Sequence, residues 1–301
     1  MPKSNENSGK KGRKIYMDYA SSAISSVANP GAIHELGVKE KNKLEVARKT
    51  VATILHAHAN EIVFTSGATE SNNLAILGLV RNFKNPHIVT TNIEHASVLE
   101  VFKYLENTKQ AEVTYVPVEA SGIVDVNKIK KALKQNTVLV SVMYANNEIG
   151  TVQPIREIAK EIRHFRKTHL TRLRHPLLNK ERVGERFPFF HTDATQAVNY
   201  LPIKVEVLGV DMMSFNAAKI YGPKGVGVLY LKKKTSLVPI MFGGNQEFGL
   251  RPGTESVALA IGLAKALEQV EKIKEKEVVR LTKLRDYFIN KITKNSAIAE
   301  K

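Results

Sequence analysis

The sequence has no cysteine among its 301 residues. Without cysteine the chain can form neither a disulfide nor a thiolate metal site, and it offers no thiol nucleophile. Its nine histidines show no metal-ligand spacing such as HExxH, so no metal site is predicted. No apolar run approaches the roughly 20 residues that a membrane-spanning helix needs, which predicts a protein with no membrane partner.

Acidic residues are also scarce, because 29 Asp and Glu stand against 45 Lys and Arg and leave a net charge of +16. One interpretation of this charge is attraction to nucleic acid or another polyanion. No signature of a nucleic-acid-binding module is found, and aromatic residues do not interleave with the basic ones. Scattered surface charge is therefore the favoured interpretation, and no nucleic-acid partner is predicted. A basic rim would also favour anionic cofactors and acidic partner proteins.

The first 14 residues are polar and basic and lack the apolar stretch of a secretory signal. We predict a disordered tail over residues 1–14 and, by default, a cytoplasmic location. The length of the chain allows one large α/β domain, or one domain with part of a second.

Strand and helix patterns alternate from residue 61 onward. Strands are predicted over 61–65, 87–90, 112–117, 138–143, 189–192, 211–215 and 225–231, and helices over 70–81, 97–106, 126–134 and 155–165. This alternation predicts an α/β fold with a mostly parallel sheet and helices on both faces. Ligands of such sheets bind at the carboxyl ends of the strands. Four candidate segments fall there: Thr65 to Thr69, Asn92 to His95, Tyr144 to Glu148, and Asp193 to Gln196.

Two segments depart from the alternating pattern. A basic, poorly patterned stretch over 164–186 indicates an inserted loop. Residues 256–292 predict a long amphipathic helix, with a possible break near Glu275. We therefore divide the chain into a large domain over 15–265 and a connecting helix over 266–301.

Lys219 lies among small residues, in the segment Asn216-Ala217-Ala218-Lys219 that precedes Gly222. An amine that forms an imine with an aldehyde needs an uncrowded, partly dehydrated site, which small neighbours provide. Asp193 follows a predicted strand, and a carboxylate there is a natural partner for a protonated pyridine nitrogen. Together they suggest pyridoxal 5'-phosphate (PLP) chemistry. The alternatives are a surface lysine before a turn and a helix N-cap at Asp193.

The segment from Phe64 to Asn73 joins a strand to a helix through glycine and hydroxyl residues. Free backbone N–H groups at the helix start, with the Thr69 hydroxyl, would form a phosphate cradle. It matches neither a P-loop nor a GxGxxG fingerprint. An ordinary N-cap, in which Ser or Thr satisfies the first turn, is the equal alternative.

Three further polar residues follow predicted strands. His95 could stack on a flat ring or act as an acid or base, or be a partly buried histidine with a satisfied hydrogen bond. Asn146 follows the most apolar strand, where a polar side chain is expensive unless paired, so a ligand role is favoured over a polar turn. Gln196 could reach the phenolic oxygen of the cofactor.

These segments resemble a known family, the cysteine desulfurases, which are fold-type I PLP enzymes of aminotransferase class V. The resemblance rests on residues 15–20, 29–30 with His34, 64–73, 94–95, 146–151, 191–196, 219–225 and 249–255. It runs in the right order from about Ile15 to Ala266. It implies the large domain of a fold-type I PLP-dependent transferase with a seven-stranded type of sheet. It also implies that this sequence contains little of the small C-terminal domain of that fold.

The resemblance implies a role for each matching position. Lys219 would hold PLP as a Schiff base, with Ala68 and Thr69 at its phosphate. His95 would stack on the pyridine ring and, with Lys219, act in catalysis. Asp193 would pair with the ring nitrogen.

A second group of positions follows from the same resemblance. Asn146 and Gln196 would lie near the phenolic oxygen and the substrate. Thr254 would complete the phosphate site of the partner subunit, which implies a homodimer. His34 and Arg251 are further candidates for contact with the substrate.

Members of this family convert L-cysteine to L-alanine and pass the sulfur as a persulfide to acceptors in iron–sulfur cluster or tRNA thiolation pathways. A sulfur-acceptor or scaffold protein is the implied partner. The sequence departs from the family at Asn216 and Ala218, which replace a serine and a histidine that help to bind phosphate. It also lacks the persulfide-forming cysteine. The alternatives are another class V aminotransferase, a selenocysteine lyase-like enzyme, or a non-catalytic PLP-binding scaffold subunit.

Overall fold

The computed structural model describes residues 28–169 and 187–294. Its strands are β1 (Ile62–Thr65), β2 (His87–Thr91), β3 (Glu112–Val116), β4 (Thr137–Ser141), β5 (Phe189–Asp193), β6 (Met212–Asn216) and β7 (Gly227–Leu231). Its α-helices are α1 (Glu35–Leu55), α2 (Ala68–Val80), α3 (Ala96–Asn107), α4 (Val126–Ala132), α5 (Ile155–His169), α6 (Val205–Leu208) and α7 (Val257–Lys294).

The seven strands form one sheet in the order β1-β7-β6-β5-β4-β2-β3. The strands from β2 to β6 pair in parallel, and β7 is antiparallel to both of its neighbours. Every residue of β2, β4 and β5 is buried, as expected for strands with helices on both faces of the sheet. The predicted α/β class with a mostly parallel sheet is confirmed.

Helix α1 was not among the predicted elements. His34 caps it by accepting a hydrogen bond from the N–H of Gly37, and it ends at His56 in the left-handed conformation. Its apolar face, with Leu44, Val51 and other residues, packs against α7 and joins the larger of the two cores of the described residues.

Helix α7 is one continuous helix, so the expected break near Glu275 is wrong. Ion pairs one turn apart bridge this polar stretch, between Lys274 and Glu271 and between Arg280 and Glu277. Such pairs support a helix that few apolar contacts hold. The predicted boundary between residues 265 and 266 lies inside α7.

The predicted inserted loop is wrong in its first part. Residues 164–169 belong to α5, whose Arg166 donates hydrogen bonds to Asp211 and to the backbone carbonyl of Pro188. The remaining positions, 170–186, lie outside the described residues. So do the tail over 1–14 and the 15–20 segment.

A buried ion pair joins α1 to the loop before α7. The two terminal guanidinium nitrogens of Arg48 donate to the Glu247 carboxylate, at 2.7 and 2.6 Å, and one of them also donates to the Ile62 carbonyl. Glu247 accepts a further hydrogen bond from the backbone N–H of Phe64. The guanidinium also lies over the rings of Phe64 and Phe248, 5.0 and 5.2 Å from their centroids. We call these five residues the Arg48 cluster.

Within residues 28–169 and 187–294, none of the helices combines the length and the apolar character that crossing a membrane requires.

Candidate functional site

A narrow cavity of about 130 Å³ opens where β1, β2, β4, β5 and β6 end, at their carboxyl edge. It brings together six of the residues that the sequence nominated. These are Ala68, Thr69, His95, Asp193, Gln196 and Lys219. Its other lining residues are Ser97, Met143, Ala145, Asn147, Thr195 and Asn216. The expectation that these strand ends meet at one place is met by the fold.

The start of α2 forms one end of this cavity. Gly67 is the N-cap residue, and no side chain caps the helix there. The first N–H groups of a helix have no partner within it, so this end offers donors to an anion beside the Thr69 hydroxyl. The geometry favours the cradle over the ordinary cap at this position.

Gly227 lets the loop before α2 approach the sheet closely. A Cβ atom added there would lie 2.5 Å from the carbonyl carbon of Gly67. Glycine at position 227 is thus what allows the start of α2 to rest against β7.

Lys219 ends a short 3-10 turn over residues 217–219, immediately after β6. Its backbone N–H donates to Asn216 Oδ1 at 3.0 Å, and Asn199 donates to its carbonyl. The Lys219 side chain is exposed, and its amine has no partner among the described residues. Its small neighbours therefore give the amine room, whereas the dehydration expected from the sequence is not provided by the described part of this one chain.

Asn216 also lines the cavity, whereas Ala218 does not. The Oδ1 atom of Asn216 is taken by the Lys219 backbone, but its Nδ2 group has no hydrogen-bond partner in the described part of the chain. An amide donor is thus available at the position where the family carries serine. The position of the family histidine, at Ala218, contributes no donor.

Asp193 ends β5 and is 4% exposed. Its Oδ2 atom accepts a hydrogen bond from Asn72 Nδ2 at 2.8 Å, and its Oδ1 atom accepts one from the Thr195 backbone N–H at 2.9 Å. The contact with the Thr195 N–H is a local cap of the following turn, so Asp193 also has the capping role considered as an alternative. Thr195 Oγ1 is buried and has no partner among the described residues.

His95 is the N-cap residue of α3, and its Nδ1 atom accepts the backbone N–H of Ser97 at 3.1 Å. Its imidazole is exposed, so the ring is open to a ligand in the cavity. The satisfied hydrogen bond and the availability for stacking, considered as alternatives, therefore occur together.

Two buried titratable groups flank Asp193 and were given no role by the sequence. Burial raises the pKa of Glu94 to about 8, against hydrogen bonds from Thr91 and the Met143 N–H that lower it, and the nearby Asp193 charge adds to the increase. Burial lowers the pKa of His191 to about 4, against the attraction of Asp193. The neighbourhood of Asp193 is thus one of low polarity, and Glu94 holds a proton at neutral pH.

Asn146 lies outside the narrow cavity. Its Nδ2 group donates to the Ile93 carbonyl, and its Oδ1 atom accepts the N–H groups of Glu148 and Ile149. It lines a larger neighbouring cavity of about 810 Å³, which shares Ala145, Asn147 and Gln196 with the narrow one. The contacts of the Asn146 side chain are those of a polar turn, which was the alternative to a ligand role.

Three other nominated residues also lie elsewhere. Arg251 and Thr254 line a separate cavity, and Arg251 forms a half-buried ion pair with Glu70 at 3.0 Å. His34 caps α1 and lines neither cavity around Asn146 and Lys219. The described residues contain no cluster of three or more side chains that could hold a metal ion.

Sequence reasoning missed Asn72, which is fully buried in α2 and contacts Asp193. The available signal was a polar amide on a helix face that otherwise faces the core. Taken together, the cavity offers an anion site at a helix start, an exposed imidazole, a buried carboxylate and a free amine. Such a set suits a flat anionic ligand with a basic ring nitrogen and a group that reacts with an amine.

Comparison with known proteins agrees with this set. The family described as aminotransferase class-V matches residues 9–171 and 183–299 of the chain. The chain is 41% identical over 298 residues to the cysteine desulfurase IscS of Dictyoglomus turgidum, covering 94% of this chain and 70% of the relative. It is 40% identical over 268 residues to IscS 1 of Archaeoglobus fulgidus, covering 88% and 64%.

The chain is also similar in structure to solved proteins. A NifS-like protein aligns with a TM-score of 0.80 at 35% identity, covering 89% of this chain and 68% of that one. The protein SspA in complex with cysteine aligns with a TM-score of 0.72 at 39% identity, covering 81% and 65%. The chain thus spans between 60% and 70% of the length of the first three curated relatives.

Proposed function

The chain belongs to the class-V aminotransferase family and, within it, to the cysteine desulfurases, and on that premise we propose that it binds PLP and removes sulfur from L-cysteine to leave L-alanine. The observation that carries the proposal is the single cavity that contains Lys219, Asp193 and His95 beside the uncapped start of α2. The cysteine-bound relative supports the substrate assignment.

The residues of the cavity fit PLP by their chemistry. The phosphate suits the free N–H groups of α2, the Thr69 hydroxyl and the unpartnered Asn216 amide. The ring nitrogen suits the Asp193 carboxylate, and the buried Thr195 hydroxyl supplies one more unpaired polar atom at the wall. When bound, PLP supplies an electron sink that stabilises negative charge on the substrate α-carbon.

Each side chain then has a defined task. Lys219 supplies the amine that holds the cofactor and moves the proton at the α-carbon of the substrate. Asp193, held by Asn72 and by the Thr195 N–H, keeps a proton on the ring nitrogen by hydrogen bonding. His95 would cover the ring, and Gln196 lies at the side shared with the larger cavity, from which substrate would enter.

The sulfur must leave to a thiolate from outside this sequence, because the chain has no cysteine. The carbon–sulfur bond of cysteine breaks, a sulfur–sulfur bond forms on the acceptor thiolate, and the substrate carbon takes up a proton. These changes balance without an external oxidant or reductant. The acceptor is a protein thiol of an iron–sulfur cluster or thiolation pathway.

The proposal includes a homodimer and a cytoplasmic location. Two observations support the homodimer. Lys219 is exposed, and a second subunit would cover it. Thr254 lies in a separate cavity, where it would contribute to the phosphate site of the second subunit. Within the proposal, residues 15–265 form the PLP-binding domain, and the segment after them continues α7 as far as Lys294 among the described residues.

The first test is attachment of PLP to the purified chain. Borohydride reduction followed by peptide mass analysis is expected to find PLP on Lys219, and Lys219→Ala is expected to lose the visible band of bound PLP. Lys224→Ala is the matched control, since Lys224 is exposed five positions away and lines none of the three cavities described above. Equal loss in both variants, or PLP on another lysine, would contradict the proposal.

The second test separates proton transfer from sulfur transfer. With L-cysteine supplied below the enzyme concentration in D2O, we expect deuterium at the α-carbon without any other thiol present. Alanine is expected only after a small thiol is added. Alanine formed without the thiol would refute the requirement for an external thiolate, and no exchange in wild type would refute the desulfurase activity.

A further inference from the structure

Asn72 joins two polar groups of the cavity that lie on different elements. It is fully buried in α2, and its single Nδ2 group lies 2.8 Å from Asp193 Oδ2 and 2.8 Å from Ser97 Oγ. An amide nitrogen carries two hydrogens, so both contacts can be made at once. The opposite orientation of the amide would place its oxygen against the Asp193 carboxylate, which accepts only. Asn72 is therefore the donor in both.

The direction of the next hydrogen bond follows from the backbone. The N–H of Ser97 can only donate, and it points at His95 Nδ1 at 3.1 Å. The Nδ1 atom is therefore an acceptor and carries no hydrogen. The Ser97 hydroxyl, 2.8 Å from the same atom, must also donate to it. The Ser97 hydroxyl thus accepts from Asn72 Nδ2 and donates to His95 Nδ1, and these two contacts fix its orientation.

These hydrogen bonds allow only one neutral tautomer of the His95 imidazole. A neutral ring without hydrogen on Nδ1 carries it on Nε2, and His95 Nε2 has no partner among the described residues. That N–H is thus a donor available to whatever occupies the cavity. The same Asn72 amide that orients Ser97 also holds Asp193, so the states of the imidazole and the carboxylate depend on one buried side chain.

We propose that Asn72 and Ser97 are positioning residues that hold His95 as the neutral tautomer with hydrogen on Nε2 and tie that tautomer to the Asp193 carboxylate. The catalytic meaning of this arrangement rests on the proposed function, but the tautomer itself does not. It is a property of the protein without cofactor.

The test is 15N NMR of the full chain labelled at histidine, without PLP, at a pH where the ring is neutral. His95→Gln identifies the His95 signals by their loss. Wild type is expected to show hydrogen on Nε2 and none on Nδ1. Ser97→Ala keeps the backbone donor but loses the hydroxyl, and we expect the tautomer ratio to shift about threefold to tenfold toward Nδ1–H, which is the size of one net hydrogen bond.

Three further variants sharpen the result. Ser97→Thr keeps the hydroxyl and is expected to restore the wild-type ratio. Asn72→Ala is expected to shift the ratio in the same direction as Ser97→Ala. Asn82→Ala removes an amide that donates to the Gly78 and Ser236 carbonyls, away from Ser97, and it is expected to change nothing.

Two results would overturn the proposal. One is hydrogen on Nδ1 of His95 in wild type, and the other is an unchanged ratio in Ser97→Ala. Should Asn72→Ala fail to fold, the comparison of Ser97→Ala with Ser97→Thr still decides. A wild-type chain that binds no PLP would refute the proposed function and leave the tautomer result valid.

Discussion

The ion pair of the Arg48 cluster and the polar groups around Asp193 are both buried, but they differ in how completely their atoms are paired. In the Arg48 cluster the guanidinium has carboxylate, carbonyl and aromatic partners, and the carboxylate has a further backbone donor. In the cavity lining, Thr195 Oγ1 is buried without a partner among the described residues, and so are Asn72 Oδ1 and Glu94 Oε2 behind it.

This difference distinguishes a structural cluster from a binding site. Buried polar groups are costly unless they are hydrogen-bonded, so a fully paired cluster is complete as it stands. An unpaired atom in a cavity lining, such as Thr195 Oγ1, is open to a partner that a ligand supplies. The contrast predicts that changes in the first region affect stability, whereas changes in the second affect ligand binding and pH dependence.

The largest effect is expected from Glu247→Gln. It leaves the buried charge of Arg48 without its carboxylate, and breaking such a pair lowers the free energy of unfolding by about 3–5 kcal/mol. Urea denaturation measures the change. Glu45→Gln is the control, because Glu45 contacts Arg48 at 3.2 Å from the exposed side and is expected to contribute under about 1 kcal/mol. Equal losses of stability in the two variants would contradict the view that the Arg48–Glu247 pair holds this region together.

A pH-dependent effect is expected from Glu94→Gln. Burial raises the pKa of Glu94 to about 8, so between about pH 5 and 8 the folded chain keeps a proton that the unfolded chain releases. In that window stability falls as pH rises, with a slope that approaches 1.4 kcal/mol per pH unit. Subtracting the urea curves of the variant from those of wild type at each pH isolates this slope. A difference that does not vary with pH would show that Glu94 ionises normally.

The smallest effect on stability is expected from Thr195→Val. Its hydroxyl has no partner among the described residues, so without PLP the free energy of unfolding should change by no more than about 0.5 kcal/mol. PLP affinity, measured by titration of the visible band, should fall about threefold to tenfold. Thr192→Val is the matched control, because the Thr192 hydroxyl donates to the Val142 carbonyl at 2.8 Å and its loss should destabilise by about 1–3 kcal/mol. A larger loss of stability in Thr195→Val than in Thr192→Val would contradict the view that the Thr195 hydroxyl is unpaired without a ligand.

The strand ends could be read from the sequence because a buried parallel strand is an apolar run that a polar residue terminates. That rule located Asp193, His95 and the Thr69 loop, whereas Lys219 was recognised by its small neighbours. It missed α1, whose inward face includes the charged residues Glu40 and Arg48 and therefore shows weak apolar periodicity.

The contacts of the wall could not be read from the sequence. Asn72, Ser97 and Asp193 come from three separate segments, and only the packing of α2 against β5 and α3 brings them together. The capping contacts of Asn146 depend on how its loop turns back to Ile93, which no spacing in the sequence records. Sequence patterns thus indicated where the site lies, and tertiary packing determined which atoms remain unpaired.

The pairing of β1 with β7 has a consequence for synthesis on the ribosome. Thr65 pairs with Gly227, about 160 positions later in the chain. At about 5–20 residues per second, roughly 8–30 seconds pass before β7, the one strand neighbour of β1 among the described residues, is made. During that interval an apolar strand with unpaired backbone groups is open to wrong partners. The nascent chain is therefore expected to depend on chaperones for longest at its first described strand.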